Sequence, residues 1–448
     1  MPDDERRDPR ISGNAFTRTA KLAALPAAFA GRTTLGVGKR MVGRPAEAVL
    51  SEVQRRTADQ IFSTLGQLKG GAMKFGQAMS VFEAALPEEI IGPYREAFTR
   101  LQDAAPPMPP SVVHRMLAAE LGEDWRQRFT SFEDTPAASA SIGQVHRAVW
   151  ADGREVAVKI QYPGAAKALQ SDLRQIGRLS RMFGVLVPGL DVKPLIKELQ
   201  DRVAEELDYS LEATSQAAFA EAYAGDPDVA VPPVVTHTER VLVTEWMESV
   251  SSLAEIISTG TQAERDHFGE KFARFLISAP QRVGLLHADP HPGNFRILAD
   301  GRLGVVDYGA VARLPDGFPP AIGHLLSVAV TGDAEAVTEG LREEGFIKPG
   351  VQIAPEVLAA YIGPFFEPAT VEQFSFSRAW LREQMSRVMS PGTEGFGTAV
   401  KVNLPPNYLL IHRVWLGAIG VLSQLEATAP FRAILLESLP GFADQGQH

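Results

Sequence analysis

Three polar residues at a fixed spacing constrain this chain more than any other feature of its sequence. In HADPHPGN (287–294), Asp289 and Asn294 are related as D-x-x-x-x-N, and Asp307 follows 13 residues later in LGVVDYGA, after an apolar run typical of a strand. A carboxylate can orient a nucleophile and accept its proton, and carboxylate and amide oxygens are ligands that Mg²⁺ prefers. The pattern therefore predicts a loop and a strand that supply one charged centre.

The order of these residues is that of the catalytic loop and D-F-G segment of protein kinases. In this interpretation Asp289 orients the nucleophile, while Asn294 and Asp307 hold the magnesium ion. The alternative is a metal site made by His287, Asp289 and His291. Pro290 and Pro292 restrict the path of this loop, so the alternating ligands would not share one side. Phosphoryl transfer is favoured, and the two histidines are expected to form hydrogen bonds within the loop.

A second pattern lies upstream, where ASASIGQV (138–145) precedes Lys159 in VAVK. It fits the phosphate-covering loop G-x-G-x-x-G-x-V, with Ala138 and Ala140 in the positions of the first two glycines. Alanine restricts backbone approach and positive φ, so we expect nucleotide binding in an altered geometry. Either half alone also fits an ordinary turn or an amphipathic strand. The predicted nucleotide contacts in this region are Ala138, Ser139, Ala140, Ser141, Gly143, Val145 and Lys159.

A kinase-type site also needs a helix carboxylate that pairs with the strand lysine. The helical segment AEELDYSLEA (204–213) offers Glu205, Glu206, Asp208 and Glu212. Spacing alone does not choose among them, and an acidic helix face in solvent is the plain alternative.

Glycines interrupt a further helical segment, LKGGAMKFGQAMS (68–80), where each costs about 0.5–1 kcal/mol relative to alanine. Lys74 and Gln77 lie three positions apart and share a helix face. Close helix packing and an approach to the active site both account for the glycines.

Composition excludes several classes of protein. The chain of 448 residues has no cysteine, which excludes disulfides, thiolate zinc sites and cysteine nucleophiles. Its formal net charge of -10 argues against a nucleic-acid partner, whose binding surface is normally basic.

Localisation is predicted to be cytoplasmic, because the charged N-terminus lacks the apolar core of a secretory signal and no run of 18 uninterrupted apolar residues occurs. The most apolar stretch, 408–425, contains His412 and Arg413 and is expected to be a buried helix. Residues 11–46 hold six cations and no acidic residue. This composition fits peripheral contact with an anionic membrane and fits a solvated tail equally well.

Breaks in periodicity divide the chain. Four prolines in 101–111 mark a linker after a helical segment, and QVHRAVW and REVAVKIQY flank ADG as in a β-hairpin. From about residue 252 the pattern is mainly helical. The predicted parts are a basic segment (1–46), a helical extension with its linker (47–110), an N-lobe (111–246) and a helical C-lobe (247–448).

Taken together, these motifs resemble those of the UbiB/AarF/ADCK family of atypical kinases, from about residue 47 to about residue 425. KFGQ (74–77) matches the K-x-G-Q signature of that family, and ELD (206–208) matches its E-x-D signature. ASAS (138–141) corresponds to its alanine-rich loop, usually A-A-A-S, from which Ser139 departs.

The resemblance implies an α+β, two-lobed protein-kinase-like fold with a small β-rich N-lobe, a helical C-lobe and an N-terminal helical extension that carries KxGQ. It makes Asp289 the catalytic aspartate and Asn294 and Asp307 the magnesium ligands, and it chooses Glu212 as the carboxylate that pairs with Lys159. The residues it assigns to regulation of the nucleotide site are Lys74, Gly76, Gln77, Glu206 and Asp208.

Placement also suggests an adenine-binding strand, VLVTEWMES (241–249). Thr244 would face the nucleotide, with backbone contacts from Glu245 and Met247, although a plain buried strand fits as well.

The expected function is that of an ATP-dependent atypical kinase or ATPase that uses ATP and Mg²⁺. The resemblance adds a lipid or quinone-precursor ligand and a role in isoprenoid-quinone (ubiquinone-type) or lipid metabolism. Two alternatives stand beside it: a nucleotide-gated lipid-binding scaffold without turnover, and a small-molecule phosphotransferase.

Overall fold

The structure is a computed structural model that describes residues 107–140, 142–164, 207–389 and 394–442. Several predicted features lie outside the described residues: the basic segment, the helical extension, and Lys74, Gly76, Gln77, Ser141 and Glu206.

The described residues form helices and short strands in a mixed order. In chain order they are α1 (Pro110–Leu121), β1 (Phe129–Phe132), β2 (Ala138–Ala140), β3 (Gly143–Trp150), β4 (Glu155–Gln161), α2 (Tyr209–Ala222), β5 (Val229–Ala230), β6 (Val234–His237), β7 (Val241–Glu245), β8 (Ser251–Ser252), α3 (Leu253–Thr259), α4 (Gln262–Val283), β9 (Leu285–His287), β10 (Phe295–Ile297), β11 (Leu303–Val305), β12 (Val311–Arg313), α5 (Pro320–Thr331), α6 (Ala334–Glu343), α7 (Pro355–Thr370), β13 (Phe374–Ser375), α8 (Arg378–Met389), α9 (Glu394–Lys401), α10 (Pro406–Leu425), β14 (Thr428–Ala429) and α11 (Phe431–Ser438).

The chain is divided into two compact units, and neither unit is one continuous segment of the sequence. The first holds the described residues of 107–211 together with 235–245, and the second holds 212–234 together with those of 246–442. The chain therefore passes between the units more than once.

The first unit is built on a sheet with the strand order β1-β3-β4-β7-β6, to which β2 adds by pairing with β3. The predicted hairpin is confirmed: β3 and β4 pair antiparallel around a turn in which Gly153 has φ 92. Side chains on one face of this sheet, among them Val156, Val158 and Ile160, are fully buried in a core shared with α1. Apolar residues at alternate positions of β4 account for this, because strand side chains alternate between faces.

The second unit is mainly helical in its described residues, among which the 22-residue α4 is the longest helix. A capping box at Thr261 and Glu264 begins α4, and Gly284 ends it in the left-handed conformation with φ 71. Phe272 and Phe275 on α4 lie in the apolar core of the unit. Around α4 lie a four-stranded sheet, β5-β11-β10-β8, and the antiparallel pair of β9 and β12. A sheet-based unit and a helical unit confirm the predicted α+β class.

One described helix segment, Asn407–Leu425 in α10, is long and apolar enough to cross a membrane. Half of its most apolar window is buried inside the protein, and a core helix of a soluble protein passes the same test. Val414, Val421 and Leu425 belong to the core of the second unit, as expected for the buried helix predicted over 408–425.

Candidate active site

The sheet of the first unit presents most of the predicted nucleotide-binding residues on one face. Ala138 pairs with Val145, Ala140 with Gly143, and Val145 with Lys159. Directly paired residues of adjacent strands point to the same face. We call this the lysine face; by register it includes Ala138, Ala140, Gly143, Val145, Ala157, Lys159, Gln161, Leu242 and Thr244.

Ser139, the departure from the A-A-A-S pattern, lies on the opposite side of β2. Its register partner is Gln144, which belongs to the face that packs on the core. By register, the departure therefore leaves the composition of the lysine face unchanged.

Gly143 is required where β3 meets β4. A Cβ built on Gly143 would lie 2.1 Å from the carbonyl oxygen of Ile160, far inside van der Waals contact. The sequence pattern explains this glycine as a phosphate-loop residue, whereas the structure gives it a separate reason in the close approach of two strands.

The strand predicted to bind adenine is β7. Thr244 is buried and pairs with Ala157, so by register it lies on the lysine face. The carboxylate of Glu245 accepts a hydrogen bond of 2.9 Å from Arg154, and by register its side chain lies on the face opposite Thr244. Met247 belongs to the second unit, where its side chain packs against Gly304.

Lys159 lies on an aromatic ring that sequence reasoning missed. Its ammonium nitrogen is 5.0 Å from the ring centroid of Tyr209, the first residue of α2. Asp208, predicted to be regulatory, precedes this helix and accepts a 2.9 Å hydrogen bond from the backbone N–H of Ser210. This contact caps the N-terminus of α2.

In the second unit, the loop after β9 is fixed by its own hydrogen bonds. The side-chain amide of Asn294 donates to the carbonyl oxygen of Asp289 at 3.2 Å. His291 Nδ1 accepts from the backbone N–H of Gly293 at 3.1 Å and caps the short 3₁₀ turn that contains Asn294. The two residues in the D-x-x-x-x-N pattern are thereby brought together.

Asp307 has an unusual backbone conformation, with φ 67. Nε2 of the buried His287 donates to its carbonyl oxygen at 3.0 Å, and its carboxylate accepts from the N–H of Gly309 at 3.2 Å. Non-glycine residues with positive φ are strained and cluster at functional sites. The protein therefore holds the predicted magnesium ligand in a specific conformation at the expense of backbone strain.

Tyr308 anchors this segment. It is buried, and its ring contacts His287 and Phe219 at centroid distances of 5.3 and 4.8 Å. Burial raises the pKa of Tyr308 well above its usual range, so its hydroxyl stays neutral.

Glu212, the carboxylate chosen by the family resemblance, is buried near Asp307. A Cβ on Gly309 would lie 3.3 Å from Oδ1 of Asp307 and 3.4 Å from Oε2 of Glu212, so the two carboxylates flank this glycine. Two carboxylates in a partly buried place repel each other unless a cation is near. The arrangement is suited to a cation such as Mg²⁺ or an ammonium group.

The histidine metal site receives no support. Within the described ranges, no group of three or more His, Cys, Asp or Glu residues could hold a metal ion. His291 forms a hydrogen bond within the loop, as predicted, whereas His287 donates to the carbonyl oxygen of Asp307, outside the loop.

Comparisons with known proteins identify relatives among the atypical kinases. The ABC1 atypical kinase-like domain matches residues 100–341, just over half of the chain. The atypical kinase coq-8, mitochondrial, of Caenorhabditis elegans is 33% identical over 328 residues, which cover 70% of this chain and 42% of that protein. The atypical kinase COQ8B, mitochondrial, of Rattus norvegicus is 30% identical over 353 residues, which cover 77% and 65%. The chain thus spans between 42 and 65% of the length of these two relatives.

Among solved structures, the complex of Rv3197 with erythromycin from Mycobacterium tuberculosis is 45% identical to this chain. The match has a TM-score of 0.69 and covers 89% of this chain and 100% of that one.

Proposed function

Since the chain belongs to the ABC1 atypical kinase-like family, we propose that it binds ATP with Mg²⁺ and hydrolyses it or transfers its γ-phosphoryl group. The observation that carries the proposal is the conformation of Asp307. Its backbone is held at φ 67 by His287, and its carboxylate lies beside that of Glu212. An acidic residue that follows an apolar strand and is held in one unusual backbone conformation fits the role of a D-F-G-type metal ligand.

Asp307 and Asn294 would hold the magnesium ion. Both offer hard oxygen donors, and each is oriented by a hydrogen bond to the protein, which favours a defined ligand geometry. When bound, the ion would neutralise charge on the phosphate oxygens.

The remaining roles follow the kinase order. By the family resemblance, Lys159 would position the phosphates with Glu212 as its carboxylate partner, and Asp289 would orient the attacking group. Ala138, Ala140, Gly143 and Val145 line the nucleotide on the lysine face, and the backbone of residues 245–247 contacts the adenine. Lys74, Gly76, Gln77, Glu206 and Asp208 regulate access to the site.

The acceptor is proposed from the family resemblance. A lipid or a quinone precursor fits the UbiB/AarF/ADCK resemblance, and two relatives carry the name atypical kinase coq-8 or COQ8B. In this proposal the protein supports isoprenoid-quinone or lipid metabolism and contacts anionic membranes peripherally through residues 11–46.

A second candidate function is the binding of a macrolide. It is favoured by the 45% identity to the erythromycin-bound protein, all of whose chain is covered. Titration of the full chain with erythromycin, followed by calorimetry, tests it; saturable binding supports it, and the absence of heat at millimolar erythromycin contradicts it. Repeating the titration with bound Mg·ATP shows whether the two ligands compete.

The proposed enzymatic activity is tested by phosphate release from ATP. Asp307→Asn should abolish Mg²⁺-dependent turnover, because it removes the charge that holds the ion. Asp316→Asn, an identical change at an exposed position, should leave turnover unchanged. Turnover by Asp307→Asn equal to that of the parent would contradict the assignment.

Two further arms separate the alternatives. Tight Mg·ATP binding without phosphate release, with or without anionic liposomes, would indicate a nucleotide-gated scaffold. Phosphorylated product in a screen of small-molecule acceptors would indicate a phosphotransferase. Comparing the full chain with one lacking residues 1–46 tests the membrane proposal, because only the full chain should respond to anionic liposomes.

A further inference from the structure

The start of α2 is fastened to β4 by a side chain beside Lys159. Gln161 and Lys159 are two positions apart on β4, so both lie on the lysine face. The buried amide of Gln161 donates to the carbonyl oxygens of Leu207 at 2.9 Å and Glu239 at 3.3 Å. Both of its N–H groups are therefore used to hold the segment that leads into α2.

Backbone N–H groups of the same segment also form hydrogen bonds that hold it in place. The N–H of Tyr209 donates to the carbonyl oxygen of Glu239 at 3.0 Å, and Asp208 caps the helix through Ser210. Tyr209 is thus fixed by β4, by the turn before β7 and by its own helix cap. Residues held from several sides place their side chains with little freedom.

The fixed side chain of Tyr209 meets the ammonium group of Lys159. Only 1% of Tyr209 is exposed, and its ring centroid is 5.0 Å from Lys159 Nζ. This is within the range of a cation–π contact, whose strength increases when water is excluded. A long, flexible lysine side chain that lies on a buried ring loses many of the conformations that it would otherwise sample.

We propose that Tyr209 is a positioning residue for Lys159. The ring of Tyr209 holds the ammonium group of Lys159 in the place where that group meets a nucleotide phosphate, and Gln161 fixes the ring. The identification of the phosphate ligand rests on the function proposed above. The contact between Tyr209 and Lys159 does not, since it is present in the protein alone.

A fluorination series tests the proposal without changing shape. Tyr209 is replaced in the full chain by phenylalanine, 3,5-difluorophenylalanine and 3,4,5-trifluorophenylalanine, which weaken the ring quadrupole progressively. The affinity for Mg·ATP should fall by about two- to fivefold from the first variant to the last. The same series at Tyr162, a ring packed on the core of the same unit, serves as the control and should leave the affinity unchanged. Equal affinity across the Tyr209 series would overturn the proposal.

A second measurement needs no nucleotide. The rate at which trinitrobenzenesulfonate labels Lys159, read by peptide mapping, should rise along the Tyr209 series, because a less firmly held ammonium is more accessible. Gln161→Met should raise it as well. If nucleotide binding is absent in every variant, the proposed function fails, whereas the labelling rates still test the role of Tyr209. Labelling rates that do not change along the series would contradict that role.

Discussion

At Asp307 the backbone lies in the left-handed region, which penalises residues that have a Cβ. The carbonyl oxygen of Asp307 accepts from His287, and its carboxylate accepts from Gly309. These two contacts offset the penalty locally, and they also aim the carboxylate. The backbone conformation of Asp307 therefore lowers the stability of the protein, while it orients the carboxylate for the proposed chemistry.

The strain at Asp307 predicts a difference between two substitutions that both delete the carboxylate. Asp307→Gly should be more stable than Asp307→Ala by about 1 kcal/mol, because only glycine adopts φ 67 without a Cβ conflict. Urea unfolding of the two variants measures the difference. Equal unfolding midpoints would mean that the backbone carries no strain here.

At Gly143 the prediction concerns the addition of a Cβ to a glycine, not its removal. Gly143→Ala should lower the stability by about 1–3 kcal/mol, because the new Cβ meets the carbonyl oxygen of Ile160 and backbone cannot move aside easily. The matched control is Gly397→Ala in α9, where a Cβ meets nothing within 4 Å. That change should stabilise the protein by up to about 1 kcal/mol. Thermal unfolding of both variants tests the pair; a stable Gly143→Ala protein would refute the argument.

At the scale of elements, a buried chain of hydrogen bonds ties the start of α1 to β3. The N–H of Met108 donates to Gln144 at 2.7 Å, the amide of Gln144 donates to Nε2 of His146 at 2.7 Å, and Nδ1 of His146 donates to the carbonyl oxygen of Glu133 at 2.7 Å. Every member is satisfied only when His146 is neutral, since Nε2 must accept. The ring of Phe132 stacks on His146 at 5.1 Å.

This series of hydrogen bonds through His146 predicts that the stability of the sheet falls in acid. Burial lowers the pKa of His146 below its usual 6.5. The hydrogen bond to the carbonyl oxygen of Glu133 and the charge of Asp134 oppose this shift, and His114 assists it. The unfolded chain then binds more protons than the folded one as pH falls below about 6.5, so stability falls with pH, at most by about 1.4 kcal/mol per unit.

Hydrogen exchange of the β3 and β4 amides, compared at pH 8 and pH 5.5, measures this loss. Protection should fall at the lower pH in the parent protein, and His146→Gln should remove the pH dependence. His237→Gln, which replaces an exposed histidine of β6, should not. Equal protection of the parent at both pH values would contradict the prediction.

Contacts between residues close in sequence could be predicted from the sequence, whereas contacts between distant residues could not. Asp289 and Asn294 lie in one loop, and a two-residue alternation placed Lys159 on a strand, so local rules were sufficient. The contact of Gln161 with Leu207 joins residues 46 positions apart. The apposition of Glu212 and Asp307 spans an even longer stretch of chain. Spacing left four acidic residues open in 204–213 because the partner of a helix face depends on packing that periodicity does not specify.

For the whole molecule, hydrophobic patterning predicted the β-hairpin and the mainly helical second half, whereas the family resemblance implied the α+β class. The interleaving of the two units was predicted by neither, because it depends on which distant segments share a core. Phe219 on α2 is fully buried, with its ring 5.8 Å from that of Phe275 and 4.8 Å from that of Tyr308. Residues 212–234 thus complete the core of the helical unit before the chain returns to the sheet unit as β6 and β7.

This arrangement predicts how the chain responds to truncation. A fragment of residues 247–448 should fail to fold, because it lacks Phe219 and leaves the ring of Tyr308 uncovered. A fragment of 207–448, which restores α2 and β5, should show more cooperative thermal unfolding by circular dichroism. A cooperative transition in the shorter fragment, with a midpoint equal to that of the longer one, would contradict the prediction.

The interleaved path also bears on how such a chain can change by recombination. A single crossover at residue 246 between this gene and that of a relative would join a new helical unit to an old α2, so that Phe219 would meet foreign neighbours at Phe275 and Tyr308. Viable exchanges should therefore carry residues 212–234 along with the helical unit, which takes at least three crossovers. Lineages of this protein are expected to inherit both units together, as one genetic block.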